Sequence, residues 1–412
     1  MDQKLEIAPD ADSVIERLID LTLSAGSVEN LTDKYFSHTK RIAEANGDCE
    51  VVYAVFMRRR LIAALEPAIR LIRRLAPDAE VKRFYADGEM VPSEEKLMEV
   101  KGKFSELSEL ETLMLQKVGV PCVAANNAYE MCSAMPASSF MDMHARHGAG
   151  PEMNMLAAYG AAVGSAAARK ADNAVVGFTG SSQDITAPLY GAEKGIGTMP
   201  HALIGFTKGD VLEATKMFVE AVPDAPAAIA LVDYSGKEIA DSLACARWFY
   251  DEAKLDQQGK TFGVRLDTHG ARFAEGLDYD KSVQIVGDWL GVQGEYNIAE
   301  QVLGLRAFQL DTSNILVDRV RRILFGAGVS VANIINTRLV LDGAGYKTAK
   351  IVASSGFGVQ KCQVMGAANA PVDMVGTGSF LPATLSETYA TADIIRYDGE
   401  NRVKVGREFL YE

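Results

Sequence analysis

The sequence predicts an α/β fold with a mostly parallel sheet, and three observations carry this prediction. Five short apolar runs between residues 174 and 381 have the length and composition of buried strands. Helical stretches lie between them, an alternation typical of parallel sheets, and each run ends in a polar cluster. The runs are AVVGF (174–178), AIALVD (228–233), TFGVRLD (261–267), KIVASSG (350–356) and VDMVGTG (372–378).

The polar clusters predict where a functional site lies. In α/β barrels the carboxyl ends of the strands meet at one mouth, which holds the active site. We therefore expect these side chains to form one site from distant parts of the chain. They are Ser181–Ser182–Asp184, Asp233–Tyr234, Arg265–Asp267–Thr268, Ser354–Ser355–Gly356 and Gly376–Thr377–Gly378.

The composition predicts an ordinary globular protein whose 412 residues suffice for a large core and two domains. The formal net charge of −13 argues against binding to a nucleic-acid backbone, although a local pocket of arginines can still hold a small anion. The N-terminus is polar and acidic, unlike a signal peptide, and no uncharged stretch is long enough for a bilayer. We therefore expect a cytoplasmic protein.

The five cysteines give no sign of a metal site or a disulfide framework. No CxxC pair occurs, and no histidine stands near a cysteine at ligand spacing, so buried free thiols are the better interpretation. The chain also lacks a P-loop and a Rossmann glycine motif after a strand. No tightly bound cofactor is expected.

The two ends of the chain predict a second, smaller domain. Residues 14–46 and 56–76 have helical periodicity, and Pro67 is expected to kink or divide the second stretch. Strand-like runs around a turn follow within residues 82–102. The chain closes with another predicted hairpin, with Asp398–Gly399 at its turn. We expect the two hairpin segments to pair in one sheet, with the barrel inserted between them.

Among the five histidines, His201 is the strongest candidate for a catalytic residue. It closes the segment GIGTMPH, in which Gly195, Gly197 and Pro200 fix a turn. A histidine presented in this way suits nucleophilic or acid–base work, because the backbone leaves room for a phosphate or substrate. The alternative is a histidine that only caps the turn.

Charged groups end two of the other runs. Asp233 is expected either to orient His201 and raise its basicity, or to cap the following helix. Arg265 and Asp267 share one face of a strand. They form an internal ion pair, or Arg265 binds a carboxylate substrate while Asp267 holds a sugar hydroxyl or a metal-bound water.

The last two apolar runs end in the glycine-rich sequences SSGFG (354–358) and GTG (376–378), which predict a phosphate site. Their backbone amides and hydroxyl groups make an anion nest, and barrels commonly bind phosphate at this position. With the cations, the carboxylates and a histidine, the site fits transfer chemistry on a phosphorylated sugar. The residues expected to contact phosphate are Ser355, Gly356, Gly376 and Thr377.

These motifs resemble those of nicotinate phosphoribosyltransferases. GTMPH, RLDT and KIVASSGF are a specific combination, and the order and rough spacing are preserved over nearly the whole chain. The matching segments are Thr32–Asp33–Lys34–Tyr35, Glu111–Thr112–Leu113, HARHGAG (144–150), GTMPH (197–201), LVD (231–233), RLDT (265–268), KIVASSGF (350–357), VGTG (375–378) and IRYDGENRVKVGRE (395–408).

The resemblance implies a type II phosphoribosyltransferase fold, with an irregular TIM-like α/β barrel (136–384) and an α/β sandwich domain built from both chain ends (1–135 and 385–412). The implied reaction forms nicotinate mononucleotide and pyrophosphate from nicotinate and 5-phosphoribosyl 1-pyrophosphate. ATP hydrolysis would be coupled to it through a phosphohistidine. Mg²⁺ would accompany the pyrophosphate substrate or ATP. A homodimer or larger homo-oligomer with shared sites is also implied.

Motif positions imply the catalytic and phosphate-binding roles. His201 would carry the phosphoryl group, Asp233 would support it, and Asp267 would belong to the same catalytic set. Thr377 and the turn at Gly356 would hold the ribose phosphate.

The implied base site is less regular. Nicotinate would contact Tyr35, Thr198 and Arg265, with Tyr35 reaching into a neighbouring subunit's site. Arg146 would bind the pyrophosphate end. The arginine loop of the family usually begins with an aromatic residue that stacks on the pyridine ring. Met143–His144 stands there in this sequence, so His144 replaces the stacking or the base site differs.

The sequence departs from the family in two other places. The segment 271–329 is long compared with compact relatives and has no assigned role, and the cysteines of a C-terminal zinc cluster, found in some archaeal members, are missing.

Three other functions are alternatives. Quinolinate and nicotinamide phosphoribosyltransferases are the alternatives within the fold, although GTMPH argues against the former. A non-catalytic paralogue that senses pyridine nucleotides is a third, against which the intact charged site argues.

Overall fold

The computed structural model describes residues 7–8, 10–304 and 314–411, so that the long segment 271–329 lies partly outside the described residues. The strands in chain order are β1 (Glu50–Met57), β2 (Leu61–Ile62), β3 (Glu80–Arg83), β4 (Met90–Val91), β5 (Lys96–Lys103), β6 (Ser139–Asp142), β7 (Gly177–Ser181), β8 (Ala227–Leu231), β9 (Thr261–Leu266), β10 (Lys350–Ala353), β11 (Met374–Thr377), β12 (Ala390–Tyr397) and β13 (Glu400–Asn401).

The described α-helices are α1 (Ala11–Ser24), α2 (Val28–Leu31), α3 (Lys34–Asn46), α4 (Glu66–Leu75), α5 (Phe104–Ala134), α6 (Pro151–Ala171), α7 (His201–Phe206), α8 (Val211–Ala221), α9 (Glu238–Arg247), α10 (Tyr279–Leu290), α11 (Glu295–Leu303), α12 (Asn314–Phe325), α13 (Val331–Gly343), α14 (Val359–Ala367) and α15 (Leu385–Thr388).

One sheet is antiparallel and has five strands in the order β13-β12-β1-β5-β3. Because β12 and β13 come from the end of the chain, the predicted sandwich built from both chain ends is confirmed. Side chains alternate across β1, as the pleat requires. Val51 and Val55 pack into the core that also contains residues of α1, α4 and α5, whereas Ala54 and Phe56 pack on the opposite side.

Three details of this region differ from the prediction. The helix expected over residues 56–76 begins only at Glu66, because residues 50–57 form the central strand β1. This segment is rich in β-branched and aromatic residues, which favour strands. Pro67 lies in the first turn of α4, where its missing N–H costs no hydrogen bond, and so it starts a helix rather than kinking one. β1 also separates the two predicted hairpin segments, which share the sheet without pairing directly.

The other large sheet has six strands in the order β7-β6-β11-β10-β9-β8, and every pairing in it is parallel. Each of the five predicted apolar runs overlaps a strand of this sheet, although AVVGF covers only the first two residues of β7, and the α/β fold class is confirmed. Analysis of the sequence missed β6, because its four residues, SFMD, are too few to show a clear pattern. Within the described ranges β7 and β8 are not paired with each other, so the hydrogen-bonded sheet is open between them.

Helices α5 and α6 join the cores of the two sheets. A Cβ on Gly160 would lie 2.2 Å from the Pro121 carbonyl oxygen, and one on Gly164 would lie 2.0 Å from that of Ala125, so glycine alone permits this approach. Buried residues of α6 contribute to both cores. The predicted domain boundaries at 135/136 and 384/385 stay a prediction. No helix in the described parts of the chain is both long and apolar enough to cross a membrane.

Candidate active site

The predicted polar clusters lie at the carboxyl ends of neighbouring strands of the parallel sheet. We call this edge of the sheet the mouth. Leu231 of β8 is in register with Arg265 of β9, and Leu266 of β9 is in register with Ala353 of β10. The residues that follow these positions, Asp233, Asp267 and Ser354, are therefore side by side in space.

His201 and Asp233 are in direct contact at the mouth. The Nε2 atom of His201 lies 2.9 Å and 3.1 Å from the two carboxylate oxygens of Asp233. The Asp233 side chain is only 8% exposed, whereas that of His201 is 43% exposed. His201 begins α7, directly after the extended N-cap residue Pro200, and α9 has Lys237 rather than Asp233 as its N-cap. A carboxylate that holds Nε2–H leaves Nδ1 with a lone pair, so this nitrogen can act as a nucleophile.

Arg265 forms part of a hydrogen-bonded row beside this pair. Its Nη1 donates to Thr198 Oγ1 at 2.8 Å, and its Nη2 lies 3.5 Å from Asp267 Oδ2. Asp267 Oδ1 accepts a hydrogen bond from Ser354 Oγ at 3.0 Å. Burial lowers the pKa of Arg265, although the carboxylates of Asp267 and Asp233 act in the opposite direction. Its buried Nε has no hydrogen-bond partner among the described residues, and the contact with Asp267 is long, so the guanidinium retains capacity for another acceptor.

The glycine-rich turn after β10 exposes two successive residues in a left-handed backbone conformation. Ser355 and Gly356 both adopt left-handed φ angles, of 74° and 76°, and both are exposed. Thr377, at the end of β11, donates to the Phe357 carbonyl oxygen at 2.7 Å and so ties the two predicted phosphate motifs together. Gly376 lies against Met143, whose Sδ would be 2.7 Å from an added Cβ.

The arginine loop lies beside the second of these motifs. Arg146 is exposed in a short 3-10 turn, and its charge also lowers the pKa of Arg265. His144 is fully buried, and its Nδ1 lies 3.1 Å from the Gly378 carbonyl oxygen. Its ring therefore braces the GTG turn and does not offer a stacking face at the mouth.

Tyr35 is the one predicted site residue that the structure does not bring to the mouth. It lies at the start of α3, is 62% exposed and borders a cavity of about 450 Å³ next to the antiparallel sheet. The structure does join the two motifs of this region, since Thr112 Oγ1 donates to Asp33 Oδ2 at 2.8 Å. Tyr35 can act at a mouth only if that mouth belongs to another copy of the chain.

Three charged residues near the mouth were missed by the sequence analysis as site residues. Lys361 donates from Nζ to the Ser355 carbonyl oxygen at 2.7 Å, and burial lowers its pKa to about 8. The fully buried Glu238 forms an ion pair with the partly exposed Arg272 behind Asp233. A lysine just after a glycine turn is a usable signal for the first, whereas nothing local in the sequence relates Glu238 to Arg272. Within the described ranges, no group of three or more histidine, cysteine or acidic residues is arranged to hold a metal ion.

Comparisons with known proteins agree with this architecture. Residues 33–121 match a family model described as "Quinolinate phosphoribosyl transferase, N-terminal domain". A search of curated proteins found no significant match. The nicotinate-nucleotide pyrophosphorylase of Pyrococcus furiosus superposes with a TM-score of 0.63 at 21% identity, covering 98% of this chain and 81% of that one.

Two further solved structures are similar. Human nicotinic acid phosphoribosyltransferase has a TM-score of 0.56 at 16% identity, covering 90% of this chain and 76% of its own. The nicotinate-nucleotide pyrophosphorylase of Francisella tularensis has a TM-score of 0.51 at 11% identity, covering 96% of this chain and 100% of its own. Identities this low establish architecture rather than substrate. With its parallel sheet, its sandwich made from both chain ends and its likeness to these proteins, the chain has the type II phosphoribosyltransferase fold.

Proposed function

We propose that this protein is an ATP-coupled nicotinate phosphoribosyltransferase. The observation that carries the proposal is the contact between His201 and the buried Asp233, beside the row formed by Thr198, Arg265 and Asp267. A half-exposed histidine held by a buried carboxylate suits transient phosphorylation. A partly unsatisfied guanidinium next to it suits the carboxylate of a pyridine acid.

The first step is phosphoryl transfer to His201. The Nδ1 lone pair attacks the γ-phosphorus of ATP, the bond to the bridging oxygen breaks, and ADP leaves with that electron pair. Asp233 stabilises the charge on the ring through the proton that stays on Nε2. Hydrolysis of the phosphohistidine later returns inorganic phosphate and the free imidazole.

The second step is transfer of the phosphoribosyl group. The pyridine nitrogen of nicotinate bonds to C1 of the ribose, and the bond from C1 to the pyrophosphate oxygen breaks. Ser355, Gly356, Gly376 and Thr377 would hold the 5-phosphate through backbone amides and hydroxyl groups. Arg146 would contact the pyrophosphate. Asp267 would offer an oxygen ligand to Mg²⁺ that arrives with the pyrophosphate, and the ion would neutralise negative charge on the leaving group.

Quinolinate phosphoribosyltransferase is the second candidate. The N-terminal family match supports it, and Lys361 and Arg146 supply cations for a second carboxylate. This reaction would leave the His201–Asp233 pair without a phosphoryl-transfer role, which is why we rank it second.

Product analysis distinguishes the candidates. The protein is incubated with 5-phosphoribosyl 1-pyrophosphate and nicotinate, nicotinamide or quinolinate, each with and without ATP. We expect nicotinate mononucleotide, with turnover raised by ATP, and acid-labile label on His201 from γ-labelled ATP. Carbon dioxide released from quinolinate, without any ATP effect, would establish the second candidate. Equal labelling of wild type and His201→Ala would refute the phosphohistidine.

A further inference from the structure

An ion pair between the fully buried Glu238 and the partly exposed Arg272 lies behind the His201–Asp233 contact and has no part in the steps above. We propose that Arg272 and Glu238 are positioning residues, which fix the main chain at Asp233 and thereby hold its carboxylate against His201. This proposal rests on the proposed function for its consequence in catalysis. Its structural content, the orientation of one histidine ring, is independent of the substrate.

Arg272 binds the main chain of Asp233 directly. Its Nη2 donates to the Asp233 carbonyl oxygen at 2.7 Å and lies 2.6 Å from Glu238 Oε1. Its Nη1 donates to the Phe273 carbonyl oxygen at 3.2 Å. One planar guanidinium thus links the turn after β8 to the carboxylate that begins α9, a geometry that a lysine ammonium does not reproduce.

Glu238 is fully buried, and its carboxylate is satisfied entirely by protein donors. Besides Arg272, Oε1 accepts from Thr268 Oγ1 at 3.0 Å and Oε2 accepts from the Glu275 amide at 3.0 Å. A carboxylate without water needs such partners, since an unpaired buried charge is strongly destabilising. Thr268 follows Asp267 immediately, so the pair connects the chain beyond β8 to the chain beyond β9.

Asp233 needs this support because it lies two residues beyond the end of β8. The last main-chain hydrogen bond between β8 and β9 precedes Asp233. In it the Val232 amide donates to the Arg265 carbonyl oxygen at 3.3 Å. Past that point, the bond from Arg272 is the shortest one made by the Asp233 main chain. Arg272 is itself anchored, because its carbonyl oxygen accepts from the Gly328 amide at 2.8 Å. The beginning of the long segment 271–329 thereby acquires a role.

The test uses the whole 412-residue chain with neutral replacements. Arg272→Met alone leaves Glu238 buried and unpaired, so the decisive variant combines Arg272→Met with Glu238→Gln. Arg338→Met is the matched control. Arg338 also donates to two carbonyl oxygens, of Ala349 and Tyr346, and pairs with Asp342, but it lies before the start of β10, away from the mouth.

The first readout is the ¹⁵N spectrum of the histidine rings, with the His201 signals assigned by their loss in His201→Asn. We expect the double variant to be folded by circular dichroism and to shift the His201 Nε2 signal towards that of an unbonded imidazole. The rate of His201 labelling from ATP should fall at least about tenfold, because small misplacements of reacting groups cost this much. Arg338→Met should change neither quantity. An unshifted His201 signal in the folded double variant would overturn the proposal, even if the protein used another substrate.

Discussion

At the scale of single residues, the structure helps to distinguish two interpretations of Arg265, an internal ion pair with Asp267 and the binding of a substrate carboxylate. The contact with Asp267 is long and the buried Nε is unpartnered within the described residues, so an ion pair does not use the whole guanidinium. We expect Arg265→Lys to raise the KM for nicotinate by about tenfold, the loss of one charge-assisted hydrogen bond. The KM for ATP should stay within about twofold, because no part of ATP needs this planar fork. Equal rises in both constants would make Arg265 structural.

Glu111 carries a prediction about pH. Burial raises its pKa to about 7, with smaller contributions from the carboxylates of Asp393 and Asp33, while the hydrogen bond from Tyr53 opposes the rise. Because the pKa of Glu111 is higher in the folded state, the folded protein binds a proton there more tightly than the unfolded chain does. The contribution of Glu111 to the free energy of unfolding is therefore full below about pH 4.5 and is lost as the pH rises through 7. Glu111→Gln should therefore increase the free energy of unfolding at pH 8 more than at pH 5. Urea titrations at both values measure this, and an equal change at both would contradict it.

At the scale of elements, the contrast between the two sheets shows what a sequence can predict. Parallel strands buried on both faces are continuous apolar runs, which is why each of the five predicted runs overlaps a strand of the parallel sheet. No strand was predicted for residues 50–55, and the last two residues of β1 lie within the stretch predicted to be helical. Pro67 starts α4, whereas the prediction had it kink or divide a longer helix. The mouth was predictable because strand ends are local features. The partnership of Glu238 with Arg272 was not, because it depends on how loops from two different strands fold back on each other.

The close approach of α5 and α6 gives a prediction at the same scale. An added Cβ on Gly164 would overlap the Ala125 carbonyl oxygen, which belongs to a rigid helix. We expect Gly164→Ala to lower the free energy of unfolding by at least about 2 kcal/mol, as overpacking does. Gly343→Ala, on α13, has no atom within 4 Å of the new Cβ and should be neutral or stabilising by up to about 1 kcal/mol. Urea denaturation of the two alanine variants compares them directly, and similar losses would remove the steric argument.

At the scale of the whole molecule, the position of Tyr35 predicts that active sites are shared between subunits. Its ring is exposed on the antiparallel-sheet side of the chain, whereas His201 lies at the mouth of the parallel sheet. His144 is buried under the GTG turn and does not offer an aromatic face for stacking on a pyridine ring. We therefore expect Tyr35 of a neighbouring subunit to supply that face. Tyr35→Ala and His201→Ala should each be inactive alone. For the expected homodimer, half of the dimers should be mixed after dissociation and reassembly. Each mixed dimer should have one complete site, so the mixture should recover up to about a quarter of wild-type activity. Native mass spectrometry verifies the mixed dimers, and mixed dimers without activity would place both residues in one subunit's site or Tyr35 outside any site.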